Sequence, residues 1–122
     1  MISYLMVGSN DLPGAVKYFD ALMEDMGASK VYETGTSAGW GWGVGTPMFI
    51  VANPYDKKTA TVGNGSMVSF SADSKEKVDS FYAKALKLGG TSEGEPGLRG
   101  ETLYAAYFRD LDGNKFNFIC YL

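Results

Sequence analysis

The sequence contains no histidine. That removes a His general base, the Ser–His–Asp and Cys–His catalytic arrangements, and any imidazole metal site. There is one cysteine, Cys120, so no internal disulfide forms, which fits a reducing cytoplasm. Cys120 itself reads as a small buried hydrophobe. No run of Lys or Arg makes a basic stripe, and the net charge is −3 with a pI near 4.8. Nucleic acid and anionic membrane surfaces are therefore not expected partners. No apolar run approaches transmembrane length. The opening MISYLMVGSND lacks the basic region and small-residue cleavage site of a signal peptide, and none is read. Asp and Glu are present, but not at the spacing of a calcium loop.

What is there suits a globular chain: 122 residues, 45% hydrophobic and 20% charged, enough for one domain or two half-domains sharing a core. The last stretch, Tyr104 to Leu122, reads as two strands joined by a tight turn. Asp110 to Asn114 supplies the turn, since Asp and Asn bond their own main chain and Gly takes positive φ. Beyond it, Phe116, Phe118 and Cys120 share one face, and Asn117, Ile119 and Tyr121 the other. Earlier, Ile2 to Val7 reads as a buried strand. Asn10 or Asp11 caps a helix with Pro13 in its first turn, an apolar stripe through Val16, Phe19, Leu22 and Met23, and a stop at Gly27. Strands follow at Ser29 to Thr34, Gly39 to Gly45 and Pro47 to Ala52, and Asn53 to Asn64 is a polar linker.

In GWGWGVG, Gly39 to Gly45, glycine alternates with Trp40, Trp42 and Val44. Three readings stay open: a phosphate cradle, which lacks a following helix N-terminus; a close approach by ligand or backbone; and a twisted strand under large neighbours. The second half opens with a strand at Ser66 to Ser71. A helix from Lys75 to Leu88, capped by Asp73 or Ser74, carries Val78, Phe81 and Ala85 and stops at Gly89. Thr91 to Glu95 reads as a short strand, and Glu95 to Glu101 as a loop. Arg109 beside Asp110 reads as a structural pair at the turn, and Glu93, Glu95 and Glu101 as solvated charges.

The halves align on their helices at an offset of 62 residues, matching Asp11 with Asp73, Val16 with Val78, Phe19 with Phe81 and Gly27 with Gly89. Both read strand, helix, then three strands. The expected architecture is α+β: two βαβββ modules, 1–62 and 63–122, forming a curved, half-barrel-like mixed sheet with helices outside and a concave inner surface.

This order resembles the vicinal oxygen chelate superfamily, which includes glyoxalase I, extradiol dioxygenases and the fosfomycin- and bleomycin-resistance proteins. The likeness is carried by FYAKALKLGG (Phe81 to Gly90), EPGLR (Glu95 to Arg99) and AAYFRDLDGNKFNFIC (Ala105 to Cys120), with Asp11 to Gly27 similar to the first-module helix. Metal-dependent members use His and Glu ligands on four strands. Carried over by motif, three of those positions fall on Tyr4, Met67 and Asn117, and the fourth near Phe49 or Val51. None of these is a good ligand for a hard or borderline divalent ion, so neither a metal nor any other cofactor is expected.

The strand faces opposite the expected helix packing hold the candidate ligand-binding residues: Tyr4, Met6, Trp40, Trp42, Phe49, Met67, Tyr107 and Asn117, with Ile119 alongside. Such a face is apolar and aromatic with few polar groups, the usual make-up of a small-molecule site. Arg99, in its Gly-rich segment, joins them as a contact candidate. No catalytic residue is assigned. The reading placed first is a metal-independent, cytoplasmic small-molecule-binding protein that pairs as a homodimer, as the resemblance to bleomycin-resistance proteins implies, with a partly aromatic ligand. A glyoxalase-related lyase or isomerase, and a dimeric structural domain without a small ligand, are the alternatives. A closed core with no cavity is the competing account of the same residues.

Overall fold

The computed structural model describes residues Met1–Leu122. The chain divides into two compact units, Met1–Gly63 and Asn64–Leu122. Together they contain two helices and eight strands in two four-stranded mixed sheets. No helix is long and apolar enough to cross a membrane.

The first module runs β1 (Tyr4–Gly8), α1 (Leu12–Asp25), β2 (Ser29–Glu33), β3 (Ser37–Gly41) and β4 (Met48–Ala52). Its sheet has the order β1-β4-β3-β2, with β1 parallel to β4 and the other pairs antiparallel. α1 begins where Asp11 Oδ1 accepts the Gly14 N–H at 3.2 Å, relieving a donor the helix cannot satisfy internally. It ends before Gly27, whose φ of +79° only glycine adopts without strain. Phe19, Leu22 and Met23 are wholly buried. Phe19 meets Phe49 at 4.9 Å and Trp40 at 6.0 Å between ring centroids, and the Trp40 indole N–H donates to Asp20 Oδ1 at 3.0 Å.

The glycine-alternating stretch is only half strand. β3 stops at Gly41, and Gly43 and Gly45 turn the chain at φ +116° and +86°. Inside the strand, a Cβ on Gly39 would stand 2.6 Å from Tyr32 Cε1 and 3.0 Å from Met48 Sδ. Of the three readings, packing under large neighbours is the one the geometry displays at Gly39.

The second module runs β5 (Val68–Ser71), α2 (Lys75–Lys87), β6 (Thr91–Arg99), β7 (Leu103–Arg109) and β8 (Lys115–Tyr121), with the order β5-β8-β7-β6. Ser74 caps α2, its Oγ accepting the Lys77 N–H at 3.1 Å. Asp73, the residue matched with Asp11 in the repeat, instead pairs with Lys77 one turn on. The cap therefore slips by one residue between modules while the stripe stays in register: Val16 with Val78, Phe19 with Phe81, and Met23 with Ala85 are all buried. α2 covers a phenylalanine cluster in which Phe108 stacks on Phe118 at 4.9 Å and Phe116 stacks on Phe70 at 5.6 Å.

β6 corrects the expected short strand and loop. It is one nine-residue strand through Pro96 to Arg99. Proline is tolerated because β6 is an edge strand and its register slips between Ser92 and Gly94 and again between Gly94 and Gly97. The β7–β8 turn is held by Asp110, whose Oδ1 accepts the N–H groups of Asp112 and Asn114 at 3.0 and 2.8 Å. Burial pushes the Asp110 carboxyl above its ordinary pKa, and its bonds to Asn114 and Asp112 oppose that shift. Arg109 does not pair with it. Its Nε donates to Glu93 Oε1 at 2.5 Å and its Nη1 to the Gly113 carbonyl at 2.8 Å, so Glu93 is a paired strand residue rather than a free loop charge.

Gly39→Ala is expected to lower stability by about 1–3 kcal/mol through overpacking. Gly35→Ala, where nothing lies within 4 Å of the added carbon, should stay within about 0.5 kcal/mol. Urea unfolding followed by far-ultraviolet circular dichroism reads both. An unshifted midpoint for Gly39→Ala would mean that Tyr32 and Met48 yield without cost.

Candidate functional site

Strand alternation gives each sheet one face against its helix and one face away from it. In the second module the register aligns Ser69 of β5 with Asn117 of β8, Asn117 with Tyr107 of β7, and Tyr107 with Gly94 of β6. These four residues form a row across the face away from α2. Lys115 and Ile119 lie on the same face of β8, two residues to either side of Asn117.

Arg99 reaches this row by folding back along its own strand. A Cβ on Gly94 would stand 3.2 Å from Arg99 Nη2, and one on Gly97 would stand 3.2 Å from Nη1. The two glycines thus leave a trough for the guanidinium. Nη2 donates to the Glu95 carbonyl at 2.8 Å and Nη1 to the Leu98 carbonyl at 3.4 Å. Arg99 Cζ lies 5.4 Å from the Tyr107 ring centroid and Lys115 Nζ lies 5.7 Å from it. Each such contact contributes about 0.5–1 kcal/mol when exposed. Neither cation has a carboxylate within ion-pair distance, whereas Arg109 is neutralised by Glu93.

Beside them, Asn117 is only 3% exposed and its Oδ1 has no hydrogen-bond partner. A carbonyl oxygen enclosed in this way gives up its hydration without a protein bond in exchange. Such a group costs about 1–3 kcal/mol.

The other candidates are distributed. Tyr4 and Met6, 51% and 54% exposed, stand on the face of β1 away from α1, aligned with Met48 and Ile50. Tyr32, which sequence reasoning missed, shares that face over Gly39. Trp40 and Phe49 belong to the opposite face: at 1% and 2% exposure they are locked against Phe19 of α1. Their expected place in a ligand-lined surface gives way to helix packing. Trp42 lies just beyond β3, 39% exposed, its indole N–H donating to the Met26 carbonyl at 3.0 Å. Met67, 44% exposed, precedes β5 on the parity of Ser69.

The first module also has a broad groove of about 1170 Å³, lined by Met6, Ser9, Asn10, Asn53 and Lys57 among others. Asn10 brackets Ala60 there, donating to its carbonyl at 3.1 Å and accepting its N–H at 2.7 Å. That amide is satisfied in holding the linker. The unmatched polar groups lie on the second module's face, and the candidate site is placed there.

Residues 2–118 match the family model described as Glyoxalase/Bleomycin resistance protein/Dioxygenase superfamily. The chain belongs to this superfamily. Among solved structures, it is 36% identical to a glyoxalase/bleomycin resistance protein from Albidiferax ferrireducens T118, covering 100% of this chain and 99% of that one, with a TM-score of 0.91. It is 25% identical to hypothetical protein SA1046 from S. aureus, covering 98% and 94%, with a TM-score of 0.76. At 20% identity it shares the fold of a lactoylglutathione lyase from Agrobacterium tumefaciens, covering 98% and 92%, with a TM-score of 0.72. No curated protein sequence matches.

Metal-dependent members of the superfamily hold their ion with His and Glu. The positions carried over from the resemblance offer a phenol (Tyr4), a thioether (Met67) and a carboxamide (Asn117), and no three His, Cys, Asp or Glu side chains gather into a metal-binding group anywhere in the chain. This donor set does not fit a divalent ion.

Asn117→Leu replaces the unmatched amide with an apolar group of similar volume. It is expected to raise the unfolding free energy by about 1 kcal/mol, read from the urea midpoint of the ligand-free protein. A loss of stability would show that the amide is satisfied in solution.

Proposed function

We propose that this superfamily member is a metal-independent small-molecule-binding protein of the glyoxalase/bleomycin-resistance type. The observation that carries the reading is the buried, partnerless amide of Asn117 beside Tyr107. A polar group kept at a stability cost beside an aromatic ring offers a ligand a hydrogen bond that the fold itself does not use. Tyr4 and Met6, on the face of β1 away from α1, and Met67, just before β5, are exposed apolar side chains, and Met and aromatic side chains adapt to flat or irregular ligands. Lyase chemistry of the glyoxalase kind develops enediolate-like charge, which calls for a metal or strong, aimed donors. The residues above supply no metal site.

The test is a thermal-shift screen of EDTA-treated protein, with divalent metals and a panel of partly aromatic small molecules run side by side. A ligand at a hundredfold excess over its Kd adds about 2.7 kcal/mol to the native state. The expected result is a raised melting point with small molecules and none with Mn²⁺, Ni²⁺ or Zn²⁺. A shift with metals alone would overturn the reading.

The protein is also proposed to act as a cytoplasmic homodimer. The edge strand β1 exposes Tyr4, Leu5 and Met6, at 51%, 39% and 54%, on both of its faces. An uncovered apolar edge is one that proteins ordinarily shield. Sedimentation equilibrium at micromolar concentration is expected to give a dimer mass, and a clean monomer would remove the proposal.

A further inference from the structure

The chain as a whole is acidic, with 14 Asp and Glu against 11 Lys and Arg. The face away from α2 runs against that balance. Its two uncompensated cations, Arg99 and Lys115, meet at the ring of one tyrosine, 5.4 and 5.7 Å from its centroid. Arg109, opposite Lys115 in the β7–β8 register, is tied to Glu93 at 2.5 Å, so the fold does provide carboxylates where it neutralises charge. Arg99 is held in place by the bare backbone of Gly94 and Gly97 and by two carbonyls. Building a trough for a guanidinium that reaches no carboxylate fixes a positive charge at one point of the sheet. Lys115 differs. Its ammonium has no protein acceptor, and its flexible stem lets it follow a bound group.

From this placement we infer that the ligand is a small organic anion, a carboxylate or a phosphate monoester, carrying a second, uncharged polar group. The anion is received by Lys115 under the fixed field of Arg99, and the second group meets the Asn117 amide. The spacing suits one molecule, since Lys115 and Asn117 are two residues apart on one strand face, about 7 Å along the chain. Charge-assisted hydrogen bonds supply the affinity for the anion, and the matched amide removes the cost of leaving Asn117 alone. The inference rests on the small-molecule-binding reading above and specifies the ligand class at that site.

The experiment titrates the full-length, EDTA-treated protein by calorimetry with hippurate, which carries a carboxylate, an amide and an aryl ring. Phenyl phosphate and the uncharged hippuramide are run beside it. Hippurate and phenyl phosphate are compared to tell a carboxylate site from a phosphate site, and tighter binding of either one than of hippuramide supports the inference. Lys115→Met should weaken the anions about tenfold or more and leave hippuramide within about twofold. Arg99→Gln should act in the same direction. Asn117→Leu should weaken hippurate and hippuramide alike. Raising sodium chloride from about 20 to about 500 mM should weaken only the anions, a readout that needs no variant to fold. If hippuramide binds as tightly as hippurate and neither salt nor Lys115→Met matters, the anion inference fails while the binding reading stands. If no probe binds and metals stabilise the protein, both fail. If no probe binds and metals have no effect, the anion inference fails.

Discussion

The alternation of side chains along each strand is the constraint on which the rest of the structure depends. A residue on one face of a strand is committed to the helix, and its neighbour is excluded from it. In the second module that rule sends Phe116, Phe118 and Cys120 into the packing beneath α2 and leaves Lys115, Asn117 and Ile119 on the other side. A slip of one residue would exchange the two sets, burying a lysine and an amide in a phenylalanine cluster. The Asp110-centred turn protects against such a slip by fixing where β8 begins. The arrangement of Arg99, Tyr107, Lys115 and Asn117 is thus a consequence of the core as much as of any ligand.

Much of this is legible in the sequence, for a physical reason. Helices with capping residues and a 3.6-residue stripe, and a hairpin with Asp-Gly-Asn chemistry, encode themselves locally. The alternation from Phe116 to Tyr121 can be read to the residue. Sequence reasoning fails where the answer depends on pairing. It puts Trp40 and Phe49 on the face away from the helix, whereas Tyr32 and Met48 cover Gly39 on that face and the tryptophan turns to α1, where it meets Phe19 and Asp20. Pro96 and the glycines around it suggest a loop. Only the neighbouring strand, and the two bulges that let a proline sit at its edge, make the segment β6.

Lys115 escapes notice in the sequence because a lone lysine after a turn has the composition of solvated surface. Its meaning comes from Tyr107 and Arg99, which are brought to it by two different strand pairings. Asn117 stands out through its likeness to a metal-ligand position, yet its burial without a partner is a property of the packed structure alone. Residue type and motif locate a candidate side chain, and what it lacks becomes visible only when its surroundings are fixed.

Both tryptophans, Trp40 and Trp42, fall within Met1–Gly63, and Asn64–Leu122 has none. Trp40 is buried with its indole N–H bonded to Asp20, while Trp42 is partly open to solvent. Intrinsic tryptophan emission therefore reports the first module selectively, and the second is spectroscopically dark in that channel. Coincidence of that signal with one that follows all the secondary structure would mark the two halves as one cooperative unit, and a separation would show that they unfold apart, without labelling either.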